Sequence, residues 1–138
     1  MRQLFHVLAS LLSAALLSAA APCAVANTLG FHIASQHIPE RNYNNTNPGV
    51  YYRLDSGWTG GFYNNSLRKT SVYAGYTWKL GPLDVTGALA TGYLNAVQPL
   101  LVPSVALFTV NGITPRLAFI PRVEKRLGVN VLHLMVEY

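Results

Sequence analysis

The chain has 138 residues, a formal net charge of +5 and only 11% charged residues. Its basic residues are scattered, and only Arg68-Lys69 and Lys125-Arg126 are adjacent pairs. Nucleic-acid binding usually requires a basic stripe interleaved with aromatic residues, so we expect no nucleic-acid partner. A chain of this length has room for one ordinary core, which predicts a single folded domain.

The first 26 residues have the features of a cleavable signal peptide. Arg2 supplies the positive charge, residues 4–17 are apolar, and residues 24–26 (Ala-Val-Ala) form a small-x-small cleavage site. A retained transmembrane helix would need roughly 20 apolar residues, and this run has about 14. A lipoprotein signal ending at Cys23 is a further alternative, but Pro22 stands where a small residue is expected. We predict a signal peptide over residues 1–26 and one domain over residues 27–138.

The mature chain would contain no cysteine, so burial or closure of a sheet has to hold it together. No segment has a convincing helical pattern. Tight turns are predicted at Ser56-Gly57, Leu80-Gly81-Pro82 and Asn111-Gly112, and longer polar links alternate with them. This alternation is typical of bacterial outer-membrane barrels, which join their strands by short turns on one side and longer loops on the other. The predicted strands are residues 28–38, 48–55, 57–65, 68–80, 83–94, 100–110, 113–121 and 128–138.

The two faces of these strands differ in polarity. Arg53, Asp55, Asp84, Arg116 and Glu137 all fall on the more polar face of their strands, opposite an apolar row. A membrane barrel has its apolar row outside, whereas a soluble barrel of the lipocalin kind has it inside. Because charge is scarce and the polar row is suited to a narrow lumen, we predict an all-β, eight-stranded antiparallel up-and-down transmembrane barrel. One aromatic girdle is expected from Phe31, Tyr52, Trp58, Trp78 and Tyr138.

The last strand carries a resemblance to known proteins. Leu132, Leu134, Val136 and Tyr138 form one apolar row that closes the chain on an aromatic residue. This resembles the C-terminal strand of bacterial outer-membrane barrels, and the whole mature chain looks like the small eight-stranded ones, the OmpX-type and lipid A-modifying proteins among them. Residues 47–80 are also similar to a family of uncharacterised phage and proteobacterial exported proteins.

The resemblance implies a location and partners. It implies the outer membrane of a Gram-negative bacterium, contact with outer-membrane lipid and lipopolysaccharide, and recognition by the outer-membrane assembly machinery through the strand that ends at Tyr138. It implies no cofactor. We found no His/Cys/Asp/Glu spacing that suggests a metal site.

A first group of candidate site residues is expected in the lumen. Opposite charges buried there should pair, because an unpaired buried charge is costly. We interpret the group as a polar plug, and a proton or solute path is the alternative, which so small a barrel hardly accommodates. Its members are His32, Gln36, Arg53, Asp84, Arg116, His133 and Glu137.

Ser35, His37 and Glu40 form a second group, at the end of the first strand and in the loop after it. Ser35 and His37 share a parity and are expected on the lipid-facing side. A serine beside an imidazole, with a carboxylate to orient it, is the arrangement that acyl transfer needs. Lipid A deacylases, which the chain resembles in fold, carry a His-x-Ser pair and a nearby glutamate, whereas here the order is reversed. A polar rim without catalysis explains the same residues.

These observations leave three functions open. The first is a small integral outer-membrane barrel with a structural, surface-interaction role. The second is an outer-membrane acyl hydrolase or acyltransferase acting on lipid A. The third is a secreted soluble barrel that binds an apolar ligand. Two Asn-Asn-Ser/Thr tripeptides, residues 44–46 and 64–66, match glycosylation acceptors, but we interpret them as turn residues.

Overall fold

The computed structural model describes residues 26–94, 96–122 and 129–138. Apart from Ala26, the predicted signal peptide lies outside these residues, as does most of the polar link predicted over residues 122–127. Within the described ranges, no helix is long and apolar enough to cross a membrane.

The described chain is all-β and confirms the predicted eight-stranded antiparallel barrel. Eight antiparallel strands follow one another around a closed barrel in sequence order, and β1 pairs with β8 to close it. Each predicted strand overlaps an observed one. The strands are β1 (Thr28–Ile38), β2 (Thr46–Arg53), β3 (Trp58–Asn64), β4 (Thr70–Leu80), β5 (Leu83–Thr91), β6 (Val97–Ala106), β7 (Thr114–Ile120) and β8 (Asn130–Glu137).

The two ends of the barrel differ in their connections. Links 54–57, 81–82 and 107–113 lie at one end with both terminal strand ends, and we call it the turn end. Links 39–45 and 65–69 lie at the other, together with the described residues 92–94, 96, 121–122 and 129, and we call it the loop end. The predicted Asn111-Gly112 turn is present, with φ angles of 51° and 79°, inside a two-way backbone hydrogen-bond pair between Val110 and Ile113. Positive φ at both central residues is the type I′ geometry that joins twisted strands.

The outer surface of the barrel is apolar and its interior is polar. Outward side chains such as Leu101 and Phe119 are 54% and 42% exposed, while Arg53, Asp84, Arg116 and Glu137 are each at most 7% exposed. The five residues predicted as an aromatic girdle are all exposed, between 40% and 74%. Other exposed apolar side chains on the strands include Leu29, Ile33, Phe62, Val72, Leu80, Leu89, Val97 and Val105.

The interior is filled by side chains in the way a narrow barrel requires. The Tyr51 ring crosses the lumen and packs against Ala118 and Met135. Gly30 faces this ring from β1, and a Cβ atom at that position would overlap the ring. Glycine at this inward position therefore makes room for Tyr51, which reaches Glu137 on β8 with its hydroxyl.

Candidate functional site

Four charged side chains form a closed ring in the lumen near the turn end. Arg53 Nη1 lies 3.0 Å from Glu137 Oε1 and 3.6 Å from Asp84 Oδ2. Arg116 contacts the same two carboxylates, at 3.0 Å from Asp84 Oδ2 and 3.2 Å from Glu137 Oε2. Each charge therefore touches both charges of the opposite sign. The ring is neutral as a unit and joins β2, β5, β7 and β8 across the lumen.

Neutral groups extend this ring and tie it to the wall. The Tyr51 hydroxyl donates to Glu137 Oε1 at 2.7 Å, and Arg116 Nη1 donates to Ser104 Oγ at 3.1 Å. Arg53 Nη2 also donates to Thr28 Oγ1 at 3.4 Å. Additional hydrogen bonds are what a buried ion pair needs to offset its desolvation. The ring and its partners fill the turn end of the barrel.

A β-bulge in β1 changes the parity of the strand and corrects two expectations. The register against both neighbouring strands shifts between His32 and Ala34, and against β8 Ile33 is an extra residue. After the bulge the odd residues point inward. The expectation that Ser35 and His37 face outward is therefore wrong, and so is the prediction of Gln36 in the lumen, because its side chain is exposed.

A chain of hydrogen bonds crosses the middle of the lumen. Ser35 Oγ lies 2.8 Å from His133 Nδ1, and His133 Nε2 lies 2.9 Å from His32 Nδ1. His32 Nε2 then lies 3.0 Å from the Tyr73 hydroxyl. With both imidazoles neutral, each ring donates from one nitrogen and accepts at the other, so all three contacts can be hydrogen bonds. The structure thus brings Ser35, His32 and His133 together in the lumen.

A second serine–imidazole pair stands at the loop end. His37 is 2% exposed, and its Nε2 lies 2.7 Å from Ser66 Oγ in the 65–69 link. Its Nδ1 lies 2.5 Å from Asn45 Oδ1 in the 39–45 link. The Tyr43 ring packs on the imidazole with ring centroids 4.9 Å apart. His37 is thus held between a hydroxyl and an amide oxygen from two different links.

The third predicted member of the catalytic group does not join this site. Glu40 is exposed, and it makes no hydrogen bond or ion pair with the other described residues. The amide of Asn45, rather than a carboxylate, contacts the imidazole of His37. The sequence does not single out Asn45 or Ser66, because both fit turn positions. The one shared signal is that each belongs to an Asn-Asn-Ser/Thr tripeptide at the loop end.

Asparagine side chains fix the two links that carry Ser66 and Asn45. Asn65 is fully buried, and its Oδ1 accepts from the Leu67 and Lys69 backbone N–H groups at 2.8 and 3.0 Å. Its Nδ2 donates to Ser71 Oγ and to the Gly92 carbonyl. Asn44 joins the two links, because its backbone N–H donates to the Ser66 carbonyl at 2.9 Å. Both links are therefore held by side-chain as well as backbone hydrogen bonds.

A cavity of about 340 Å³ runs through the lumen from the loop end to the charge ring, whose Arg53, Arg116 and Glu137 also line it. Its lining includes Ser35, His37 and Ser66. Apolar side chains line it as well, among them Leu67, Leu94, Leu100, Ile120 and Val131. Tyr63 and Tyr93 also line it and join their hydroxyls at 2.6 Å, and burial raises the pKa of Tyr93.

Asn47 contributes an unsatisfied acceptor to the wall of the same cavity. It is 2% exposed, and its Nδ2 donates to the Asn64 carbonyl at 2.9 Å. Its Oδ1 has no hydrogen-bond partner within the described part of the chain. Buried polar atoms are nearly always paired, so this oxygen is suited to accept from a bound polar group. No cluster of three or more potential metal ligands occurs among residues 26–94, 96–122 and 129–138.

Comparisons with known proteins identify no relative. No protein-family model matches the chain, and neither a curated protein nor a solved structure matches it.

Proposed function

We propose that the protein is an integral outer-membrane β-barrel with a structural, surface-interaction role. The observation that carries the proposal is the separation of polarity across the wall: apolar side chains outside, charges inside. Soluble monomers rarely expose a contiguous apolar surface of this extent, whereas a lipid-exposed barrel requires one. A soluble barrel that binds an apolar ligand would need the opposite arrangement.

The interior supports a sealed barrel rather than a pore. Arg53, Arg116 and their two carboxylates contact one another across the lumen, and Tyr51 fills the space beside them. An aqueous channel needs a wider barrel, since eight strands leave an interior that side chains fill. The role we propose is accordingly that of a rigid barrel whose loop end faces outward from the cell.

Outer-membrane lipid and the assembly machinery are the partners of this proposal. Phe31, Tyr52, Trp58, Trp78 and Tyr138 would meet the lipid headgroups near the turn end, where amphipathic rings are favoured. The last strand, Asn130–Glu137, alternates in burial along its whole length and leads to an exposed Tyr138. We propose that this strand is the segment that the assembly machinery recognises.

The test is electrophoretic mobility in SDS, with and without boiling, after cell fractionation. A closed membrane barrel resists SDS until it is heated, so the outer-membrane fraction should contain a band that shifts on boiling. Leu101→Arg sharpens the test, because Leu101 is outward-facing near the middle of β6. In lipid this substitution costs about 2–4 kcal/mol at the bilayer midplane, while an exposed site on a soluble protein would tolerate it within about 0.5 kcal/mol.

Ser56→Arg is the matched control, because Ser56 is exposed in the 54–57 turn, outside the barrel wall. We expect Leu101→Arg to lose the heat-shifted band and Ser56→Arg to keep it. A protein that fractionates with soluble proteins and tolerates both substitutions would refute the membrane proposal.

A further inference from the structure

Going beyond the structural role, we propose that Ser66, His37 and Asn45 form the active site of an ester hydrolase. Ser66 is the nucleophile, His37 is the general base, and Asn45 orients the imidazole. The substrate class is a carboxylic ester with an apolar acyl chain, bound in the cavity at the loop end of the lumen.

The proton positions follow from the orientation of the Asn45 amide, whose oxygen faces the His37 ring. The oxygen of the Asn45 amide can only accept, so His37 Nδ1 must carry the hydrogen across the 2.5 Å contact. In the neutral imidazole, Nε2 is then the acceptor, and it accepts from the Ser66 hydroxyl at 2.7 Å. This is the geometry of a nucleophile activated by a base that a third group orients. An asparagine serves as the third group in some known catalytic triads.

The site is held in place and remains reachable. The Asn65 side chain fixes the link that carries Ser66, and the Tyr43 ring packs on His37. Ser66 itself is half-buried, while His37 is 2% exposed. The nucleophile is therefore open at the rim, and the base is shielded behind it, as a preorganised site requires.

The reaction follows from these positions. Ser66 Oγ attacks the ester carbonyl carbon and forms a C–O bond, while its proton passes to His37 Nε2. The tetrahedral intermediate collapses, the bond to the alcohol oxygen breaks, and His37 returns the proton to the leaving alcohol. Water then attacks the acyl group on Ser66 with His37 again as base, which releases the carboxylic acid and restores the serine.

The cavity selects the substrate class. Leu67, Leu100 and Val131 are apolar side chains in the lining that also contains Ser66 and His37, so an acyl chain has an apolar environment beside the reacting atoms. The volume of about 340 Å³ lies at the small end of the range for small-molecule sites. The unpaired Oδ1 of Asn47 offers an acceptor for a polar group of the same ligand.

The other serine–imidazole pair in the cavity is less suited to this chemistry. Ser35 meets His133 through Nδ1, and His133 Nε2 contacts a second imidazole rather than an amide or carboxylate oxygen. Nothing in that contact orients His133 in the way Asn45 orients His37. We assign the nucleophile to Ser66 for this reason.

The experiment uses the full-length chain, produced in a bacterial host and solubilised in a non-ionic detergent. We expect it to hydrolyse p-nitrophenyl octanoate and to react with a fluorophosphonate probe. Ser66→Ala should lower the rate by about a thousandfold or more and abolish labelling. His37→Ala should cost about a hundredfold to ten-thousandfold. Peptide mapping by mass spectrometry should find the phosphonate on the peptide that contains Ser66.

Controls separate catalysis from folding and from the choice of serine. Each variant must keep the far-UV circular dichroism spectrum of the wild type, and Ser56→Ala, at the far end of the barrel, should keep the wild-type rate. His37→Asn preserves hydrogen-bonding capacity at this buried position but removes the base, so it should be folded and inactive. The proposal is overturned if folded wild-type protein neither hydrolyses the ester nor reacts with the probe. It is also overturned if Ser35→Ala abolishes hydrolysis and labelling while Ser66→Ala retains both. Neither result depends on where the protein fractionates in the cell.

Discussion

The two ends of the lumen use different chemistry. At the turn end, two arginines and two carboxylates alternate in a ring of contacts between 3.0 and 3.6 Å. At the loop end, the polar groups that line the cavity are mainly neutral hydroxyls, imidazoles and amides. In the charge ring, each side chain contacts both side chains of the opposite charge. The loop end retains open space, together with hydroxyl and imidazole groups that can pass a proton.

The turn end and the loop end should therefore differ in how strongly a substitution changes the stability of the barrel. Removing one member of a buried charge ring leaves an uncompensated charge, so the turn end should be the region most sensitive in stability. Removing one neutral hydrogen bond costs far less, so the loop end can change its side chains at small cost to the fold. We therefore expect the turn end to contribute most to the stability of the barrel, while the loop end contains the site where we propose ester hydrolysis.

The largest stability effect is expected from Arg116→Met. Arg116 contacts both Asp84 and Glu137, so its loss leaves Asp84 with one ion pair among the described residues, the 3.6 Å contact to Arg53. We expect a loss of about 3–5 kcal/mol in the free energy of unfolding, measured by urea titration of the protein folded into lipid vesicles. Lys69→Met, at an exposed position in the 65–69 link, is the control and should change it by less than about 0.5 kcal/mol. Equal effects of the two substitutions would mean that the ring does not stabilise the barrel.

A smaller effect is expected from Asn65→Ala at the loop end. The substitution leaves the Leu67 and Lys69 backbone N–H groups without their acceptor, which should cost about 1–3 kcal/mol. Because the same link carries Ser66, the rate of ester hydrolysis should fall while the compact form in unboiled SDS persists. Asn42→Ala is the control, since Asn42 is exposed and its contacts with Arg68 are 3.4 Å long. If Asn65→Ala changed neither unfolding nor the rate, its side chain would not position the link.

The contrast between the two ends also separates what the sequence predicts from what it does not. Strand alternation and the Asn-Gly turn predict the eight-stranded order, and β1 is observed over the predicted residues. The inward direction of Arg53, Asp84, Arg116 and Glu137 follows from the same alternation, because no bulge interrupts the pairing of β2, β5 and β8 near these residues.

The loop end could not be predicted in this way. One extra residue at the bulge, Ile33, reverses the parity of every later residue in β1, and a single insertion leaves no local signature in the sequence. Asn45 and Ser66 meet His37 because hydrogen bonds join two separate links. Contacts of this kind depend on loop conformation, which periodicity does not report.

The smallest effect is expected from Tyr93→Phe, which removes the 2.6 Å hydrogen bond between the Tyr93 and Tyr63 hydroxyls. Both groups are neutral, so the expected loss is about 0.5–1.5 kcal/mol in the free energy of unfolding. Tyr63→Phe and the double variant complete a cycle that isolates the pair, read by the same urea titration. If many modest hydrogen bonds stabilise the loop end, the coupling free energy between Tyr63 and Tyr93 should stay well below the loss caused by Arg116→Met. A coupling as large as that of the charge ring would remove the distinction between the two ends.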